Sequence, residues 1–219
     1  MEYGALVPTS VLARYRCPKV TRKDIKSRLN SSFEIPNAKR AVRGDYNPTQ
    51  ALNGKNLISA AVLVPVIDHP NEMTLLLTQR TENLSTHGGQ ISFPGGHVEP
   101  CDKNLSDTAL RESEEEINLS RSKIEIVGRL DQYLTRTGFS VAPIVGVVDP
   151  GYEAVPDPKE VARIFEIPLS FFLDLKNYKR HSYTDNGEQR IFHAITYNGH
   201  YIWGATAGII KNFREALLG

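Results

Sequence analysis

Apolar residues run almost unbroken from Ile58 to Asp68 (ISAAVLVPVID), which predicts a buried strand. Pro65 is expected at its end or on a sheet edge, because proline has no N–H to offer a ladder. His69-Pro70-Asn71 reads as a turn, and Met73 to Arg80 (MTLLLTQR) as the antiparallel return strand of a hairpin. Lys123 to Leu130 alternates and predicts a strand, Tyr133 to Phe139 reads as a turn, and Val141 to Val148 (VAPIVGVV) as a second buried strand. Pro168 to Leu175 predicts a short helix, and Asn177 to Tyr197 a hairpin around Asp185-Asn186-Gly187, with Asn198-Gly199 as another turn. The last stretch gives a strand into Trp203 and Gly204, then a helix from about Thr206 with Ile209, Ile210, Phe213, Ala216 and Leu217 on its apolar face.

Between these strands the period turns helical. Leu105, Ala109, Leu110, Ile117 and Leu119 supply an apolar side, Ser106 reads as the N-cap, Asp107 suits the first turn, and Asn118 sits where a left-handed residue would stop the helix. Glu112, Glu115 and Glu116 fall three and four residues apart, so they share one face. Like charges at this spacing each cost a helix about 0.2–0.5 kcal/mol, and acids in a last turn oppose the macrodipole by about 0.3–1 kcal/mol. A divalent cation reverses that sign, and an all-oxygen set with room for water and phosphate suits magnesium or manganese. A solvated acidic face is the plain alternative for an isolated Glu run, but here the helix is apolar on its other side and follows a glycine turn. Arg111 can reach Asp107 one turn back and Glu115 one turn on. Gly95 and Gly96, entered through Pro94, permit a tight turn and close backbone approach, so that a carbonyl near Gly96 could face a metal.

Composition narrows the setting. At 219 residues and 40% hydrophobic content the chain can bury a full core. A formal net charge of +1 argues against a bulk electrostatic nucleic-acid binder. Cys17 and Cys101 have no metal-ligand or CxxC spacing, which points to reduced thiols in a cytosol-like compartment. No stretch is long and apolar enough to span a membrane. Residues 1–57 read as a basic extension, with a short helix near Thr21 to Leu29 and a loop from Asp45 to Gly54, and residues 58–219 as the folded domain. The expected location is cytoplasmic: the N-terminus lacks an apolar signal core, the C-terminus is not a Ser-Lys-Leu address, and mitochondrial import stays open. A homodimer is likewise an open arrangement.

The segment carrying Arg111, Glu112, Glu115, Glu116 and Leu119 resembles the Nudix hydrolase box. It departs from that box at four points: Ser113 in an aliphatic slot, Asn118 in the glycine slot, one extra residue between Gly96 and Arg111, and Asp102 as the nearest equivalent of the first box Glu. The preceding segment resembles the coenzyme A pyrophosphatase branch through Leu76, Thr78, Arg80, Gly89, Phe93, Pro94, Gly95 and Gly96. Thr81 stands there for Ser or Ala, and Ser85 for Arg. The segment LDQYLTRTGFSVAPIVG resembles that branch as well, and DPKEVARIFEIPL resembles the element that in many Nudix enzymes brings a further acid to the metals.

The resemblance implies an α/β (α+β) Nudix fold with a mixed β-sheet sandwiched between helices. It also implies a metal-dependent pyrophosphohydrolase acting on a small nucleotide such as coenzyme A, giving 3′,5′-ADP and 4′-phosphopantetheine. Another nucleoside diphosphate derivative, or a non-catalytic nucleotide sensor, are the rival readings. Glu112, Glu115 and Glu116, with Gly96, would hold magnesium or manganese, and Arg111 would orient the glutamates. Glu112 or Glu160 would be the general base, with Asp157 and Glu166 as substitutes for Glu160. Arg80, Arg136, Gly95 and Gly96 would meet the substrate. His87 reads as a hydrogen-bonding or solvent-facing group, and Trp203 and Phe192 as core aromatics.

Overall fold

The computed structural model describes residues 20–29, 42–44, 57–84, 86–185 and 188–219. In chain order the elements are α1 (Arg22–Leu29), β1 (Val42–Gly44), β2 (Ile58–Ile67), β3 (Thr74–Arg80), β4 (Ile91–Ser92), β5 (Gly95–His97), α2 (Leu105–Ile117), β6 (Ile124–Arg129), β7 (Gln132–Leu134) and β8 (Phe139–Val148). They continue with β9 (Val161–Pro168), α3 (Leu169–Leu173), β10 (Tyr178–Asp185), β11 (Glu188–Tyr197), β12 (His200–Trp203) and α4 (Gly204–Leu218).

β2 and β8 run in parallel along their whole length, from Ile58 opposite Phe139 to Ile67 opposite Val148, at the centre of a nine-stranded mixed sheet. Both are nearly all apolar, as strands covered on two faces must be. Ala61, Leu63 and Ile67 meet Ala109 and Ile117 of α2 on one face. Val64 and Val66 meet Ile25 of α1, Phe172 of α3, and Phe213 and Leu217 of α4 on the other. The fold is therefore α+β, a mixed sheet between helices. Strands β10, β11 and β12 form a separate antiparallel sheet. The hairpin expected around Asp185 is present, with its Asn186-Gly187 pair outside the described residues.

Pro65 lies inside β2, opposite Gly146, and not at an end or edge as expected. The reason is a fork. β3 pairs with β2 only at Val66–Leu75 and Ile67–Thr74, then diverges to pair with β9. Two residues before Pro65, on the same side, the Leu63 N–H donates to the Pro94 carbonyl at 2.9 Å, and β5 fills the gap opposite Ala60, Ala61 and Val62. The missing N–H thus falls where no ladder partner stands. The same fork seats Gly95 and Gly96 between the diverging strands.

The expected turn from Tyr133 to Phe139 is also corrected, because Gln132–Leu134 is a strand paired with both β1 and β8. The turn itself is residues 135–138, closed by Thr135 N–H to Phe139 O at 2.9 Å, with Gly138 at φ +89°. Within the stretch read as an extension, Ile25 and Leu29 of α1 enter the core, Arg22 and Lys26 pair with Glu125, and β1 joins the main sheet. The loop expected from Asp45 to Gly54 lies outside the described residues. Among the described residues no helix is long and apolar enough to cross a membrane.

Candidate active site

Helix α2 starts two residues earlier than its sequence pattern implies. Its N-cap is Asn104, not Ser106: the Asn104 side chain accepts the Asp107 N–H at 3.0 Å. Asn118 ends it at φ 52°, with its N–H on Glu114 O at 2.9 Å and the Leu119 N–H on Ser113 O at 3.2 Å. Ser113 is fully buried in its aliphatic slot and donates to Ala109 O at 2.7 Å, so its hydroxyl is satisfied within the helix.

The three glutamates on this helix have unequal surroundings. Glu116 is buried and accepts the Gly95 N–H, and burial pushes its carboxyl up to about 8. The Arg80 guanidinium, 3.7 Å away, opposes that rise, while Glu160 and Glu112 add to it. Glu112 is half-buried and also raised, by burial first, against Arg111 and with Glu115 and Glu160. Glu115 has a side chain 58% exposed and is tied to Arg111 at 2.9 Å.

Arg111 is the hub of the site, although its partner is not the expected Asp107, which accepts from Arg121 and from the Lys103 N–H. Arg111 donates to Asp102 through Nε at 2.9 Å and Nη2 at 3.1 Å, and to the His97 carbonyl at 3.0 Å. It also pairs with Glu112 at 3.0 Å. Asp102 in turn accepts from Thr108 Oγ1 and the Glu99 N–H, each at 2.8 Å. The Arg111 hydrogen bond, aided by these donors, holds the Asp102 carboxyl well below the usual carboxylate range. Asp102 thus positions Arg111, and Arg111 positions Glu112.

Glu160 is brought to the cluster by the chain after β8. Val155 N–H and Asp157 N–H each donate at 2.8 Å to the last carbonyls of α2, on Ile117 and Glu116. Thr81 then anchors the next turn, its N–H on Glu160 O at 2.9 Å and its hydroxyl on Lys159 O at 3.1 Å. A Ser hydroxyl could do the same, which accounts for Thr at this position. Asp157 instead turns its carboxylate to the Lys159 N–H at 2.9 Å. Glu166 is engaged by His69 Nε2 and Tyr152 OH, each at 2.7 Å, and by the Thr74 hydroxyl.

Burial pushes the Glu166 carboxyl up, but these three partners outweigh it and hold it below its ordinary value. Its stabilising contribution is therefore present above the unfolded carboxylate pKa and lost as pH falls through the lower folded value. Glu166→Gln is expected to cost about 1–3 kcal/mol at pH 7 and progressively less in acid, read from denaturant melts of the two proteins across pH.

In donor chemistry the acids suit a divalent cation. Glu112, Glu116 and Glu160 form an all-oxygen donor set in which Glu160 raises both Glu112 and Glu116, and Arg80 pairs with Glu116. Among the described residues no three His, Cys, Asp or Glu side chains stand close enough to enclose an ion as they are placed, and Glu115 is turned toward Arg111. Gly96 carries part of the geometry, because a Cβ there would overlap the Glu112 carboxylate. At Gly95, with φ +154°, a Cβ would strike the backbone of Ala61 and Val62. Gly96→Ala is thus expected to leave the melting temperature nearly unchanged and lower kcat by about 10- to 100-fold. Gly95→Ala should destabilise the fold by about 1–3 kcal/mol.

Beside the acids opens a cleft of about 640 Å³ lined by Arg80, Gly95, Gly96 and Arg136, so all four residues expected to meet substrate border one space. Arg80 Nε is buried there without a hydrogen-bond partner, an unfilled donor of the kind a phosphate oxygen satisfies. Ser85 lies outside the described residues. His87 also lines the cleft, hydrogen-bonded through Nδ1 to Gln90 at 3.0 Å. Trp203 is not core: it is 43% exposed and borders the cleft, because it ends an outer strand beside the uncapped start of α4. Phe139, His97 and the Thr135–Thr137 turn also line it and escaped the sequence reading; the one available signal was their nearness to Gly96 and Arg136 in the chain.

Residues 57–183 match the NUDIX domain family. The chain is similar to a protein called uncharacterized Nudix hydrolase NudL from Photorhabdus laumondii subsp. laumondii, 44% identical over 168 residues, 77% of this chain and 89% of that protein. A protein of the same name from Yersinia pestis is 40% identical over 156 residues, 71% of this chain and 78% of its own. Among solved structures, a C. elegans Ap4A hydrolase binary complex aligns with a TM-score of 0.44 and 22% identity, over 50% of this chain and 80% of that one. Nudix hydrolases generally use divalent metal ions and act on small nucleotide substrates. On the family match over residues 57–183 and the similarity to these relatives, the chain belongs to the Nudix hydrolases, pyrophosphohydrolase enzymes.

Proposed function

We propose that the chain hydrolyses the pyrophosphate bond of coenzyme A or its derivatives, giving 3′,5′-ADP and 4′-phosphopantetheine or its acyl form, with magnesium or manganese. The observation that carries this reading is the single cleft joining Arg80, Arg136 and the Gly95-Gly96 turn to an apolar wall of Ala60, Val62, Phe139 and Val141. Cationic donors beside the acids suit a diphosphate, and the apolar wall suits a long, weakly polar arm. The branch-like segments around Arg80 and Arg136 support it further.

Glu112, Glu115 and Glu116 would hold the divalent cations, which would supply charge neutralisation at the phosphate oxygens and a more acidic water. The chain's own residues do the rest. Arg80 engages a phosphate oxygen, Arg111 fixes the Glu112 carboxylate, and Glu112 or Glu160 accepts the proton of the attacking water as the bridging P–O bond breaks.

A panel of coenzyme A, oxidised coenzyme A, an acyl coenzyme A, NADH, ADP-ribose and a dinucleoside polyphosphate, with products separated by chromatography, tests the reading. Coenzyme A species should show the highest kcat/KM and yield 3′,5′-ADP. Preference for another member would move the enzyme to a different nucleoside diphosphate derivative, the reading that Ser85 in place of the branch Arg favours. Tight binding without turnover would make it a nucleotide sensor.

A further inference from the structure

We infer that Trp203 is the platform on which the substrate's nucleobase stacks, an inference that rests on the reading above that the substrate carries a nucleotide. Trp203 closes β12, directly before α4, and lines the same cleft as Arg80, Gly96 and Arg136. It is the chain's single tryptophan and is 43% exposed, which leaves a large part of the indole open to a ligand.

The ring is braced within its sheet. Phe192 on β11 meets it edge-on with centroids 6.2 Å apart and planes at 68°. His181 on β10 stacks on Phe192 at 5.2 Å and 21°, so an aromatic ladder crosses all three strands. Directly opposite Trp203 stands Ala194, too small to cover it. A side chain held this way loses little rotamer freedom when a ligand stacks on it. The other aromatic rings of the cleft are less available: Phe93 is 3% exposed, and Phe139 packs against His97 with centroids 5.2 Å apart. A base attached to phosphates seated at Arg80 therefore finds one large exposed π-face within the cleft. Stacking of this kind is worth roughly 5- to 150-fold in affinity.

The single indole makes the test direct. Wild-type protein is titrated with 3′,5′-ADP, which has a base, and with 4′-phosphopantetheine, which has none, while tryptophan emission is followed. In parallel, KM and kcat for coenzyme A are measured on Trp203→Ala and Trp203→Phe. The platform requires saturable quenching by 3′,5′-ADP but not by 4′-phosphopantetheine. It also requires a KM raised about tenfold or more in Trp203→Ala, a smaller change in kcat, and recovery to within about threefold in Trp203→Phe. Should Trp203→Ala fail to fold, the emission titration and Trp203→Phe decide. Quenching without coenzyme A cleavage would keep the platform and overturn the coenzyme A reading. Cleavage without quenching, or with KM unchanged in Trp203→Ala, would overturn the platform alone. A Trp203→Ala protein that sediments as a monomer where wild type is a dimer, with KM unchanged, would make the ring a contact between copies and overturn the platform.

Discussion

Glu116→Gln is expected to lower kcat by about 100-fold or more while making the metal-free protein more stable. The first effect follows from position: Glu116 is buried beside Glu112 and Glu160, where a carboxylate has value only as a ligand, and loss of even an outer partner of a metal site costs about 10–100-fold. The second follows from burial of the same group, which raises its carboxyl to about 8. Between the unfolded carboxylate pKa and that value the unfolded chain releases a proton that the folded one retains, so stability falls as pH rises through this window. Glu116→Gln has no proton to lose. In chelator the variant should match wild type near pH 4.5 and exceed it by on the order of 3 kcal/mol at pH 8, a difference read from paired denaturant melts. Equal stability at both pH values would show that Glu116 is not held desolvated in the folded chain.

Asp102→Asn should be the most damaging change to the fold around the site. Asp102 is almost wholly buried, at 1% side-chain exposure, and Arg111 is 14% exposed. Removing one partner of such a pair leaves the other charged and poorly solvated, at a cost of about 3–5 kcal/mol. Because Arg111 also holds Glu112, kcat should fall together with stability. The two effects separate at a temperature where the variant remains folded: a structural role alone would restore kcat there, whereas a misplaced Glu112 would keep it about 10–100-fold low. The carboxyl is depressed well below the usual range, so the wild-type contribution is present at neutral pH and is lost only in strong acid.

Much of this arrangement was legible in the sequence because it depends on local spacing. The i, i+3, i+4 interval of Glu112, Glu115 and Glu116 and the Asn118 stop are properties of one helix. The two central strands declared themselves by uninterrupted apolar runs. What escaped depends on tertiary contacts. Pro65 could enter a central strand only because β3 diverges from β2 just there, and no local pattern encodes that fork. Asp102 stood in the chain as the nearest equivalent of an absent Glu, but its task was visible only once the Asp102–Arg111–Glu112 relay was assembled. Arg111 lacks Asp107 as a partner for the same reason: Arg121, fourteen residues on, claims it. Trp203 was assigned to the core on residue type, and it was the placement of β12 beside the cleft that exposed it.

The most direct test of the account is the hydrolysis of coenzyme A by the purified chain in saturating magnesium or manganese, in chelator, and with Glu116→Gln in its place, with all products resolved by chromatography. The account predicts 3′,5′-ADP and 4′-phosphopantetheine in equal amounts from the metal-loaded wild type, and almost none in chelator or from the variant. Undiminished cleavage in chelator or by Glu116→Gln would contradict it, because the acids gathered around Gly95 and Gly96 would then not be the seat of the chemistry.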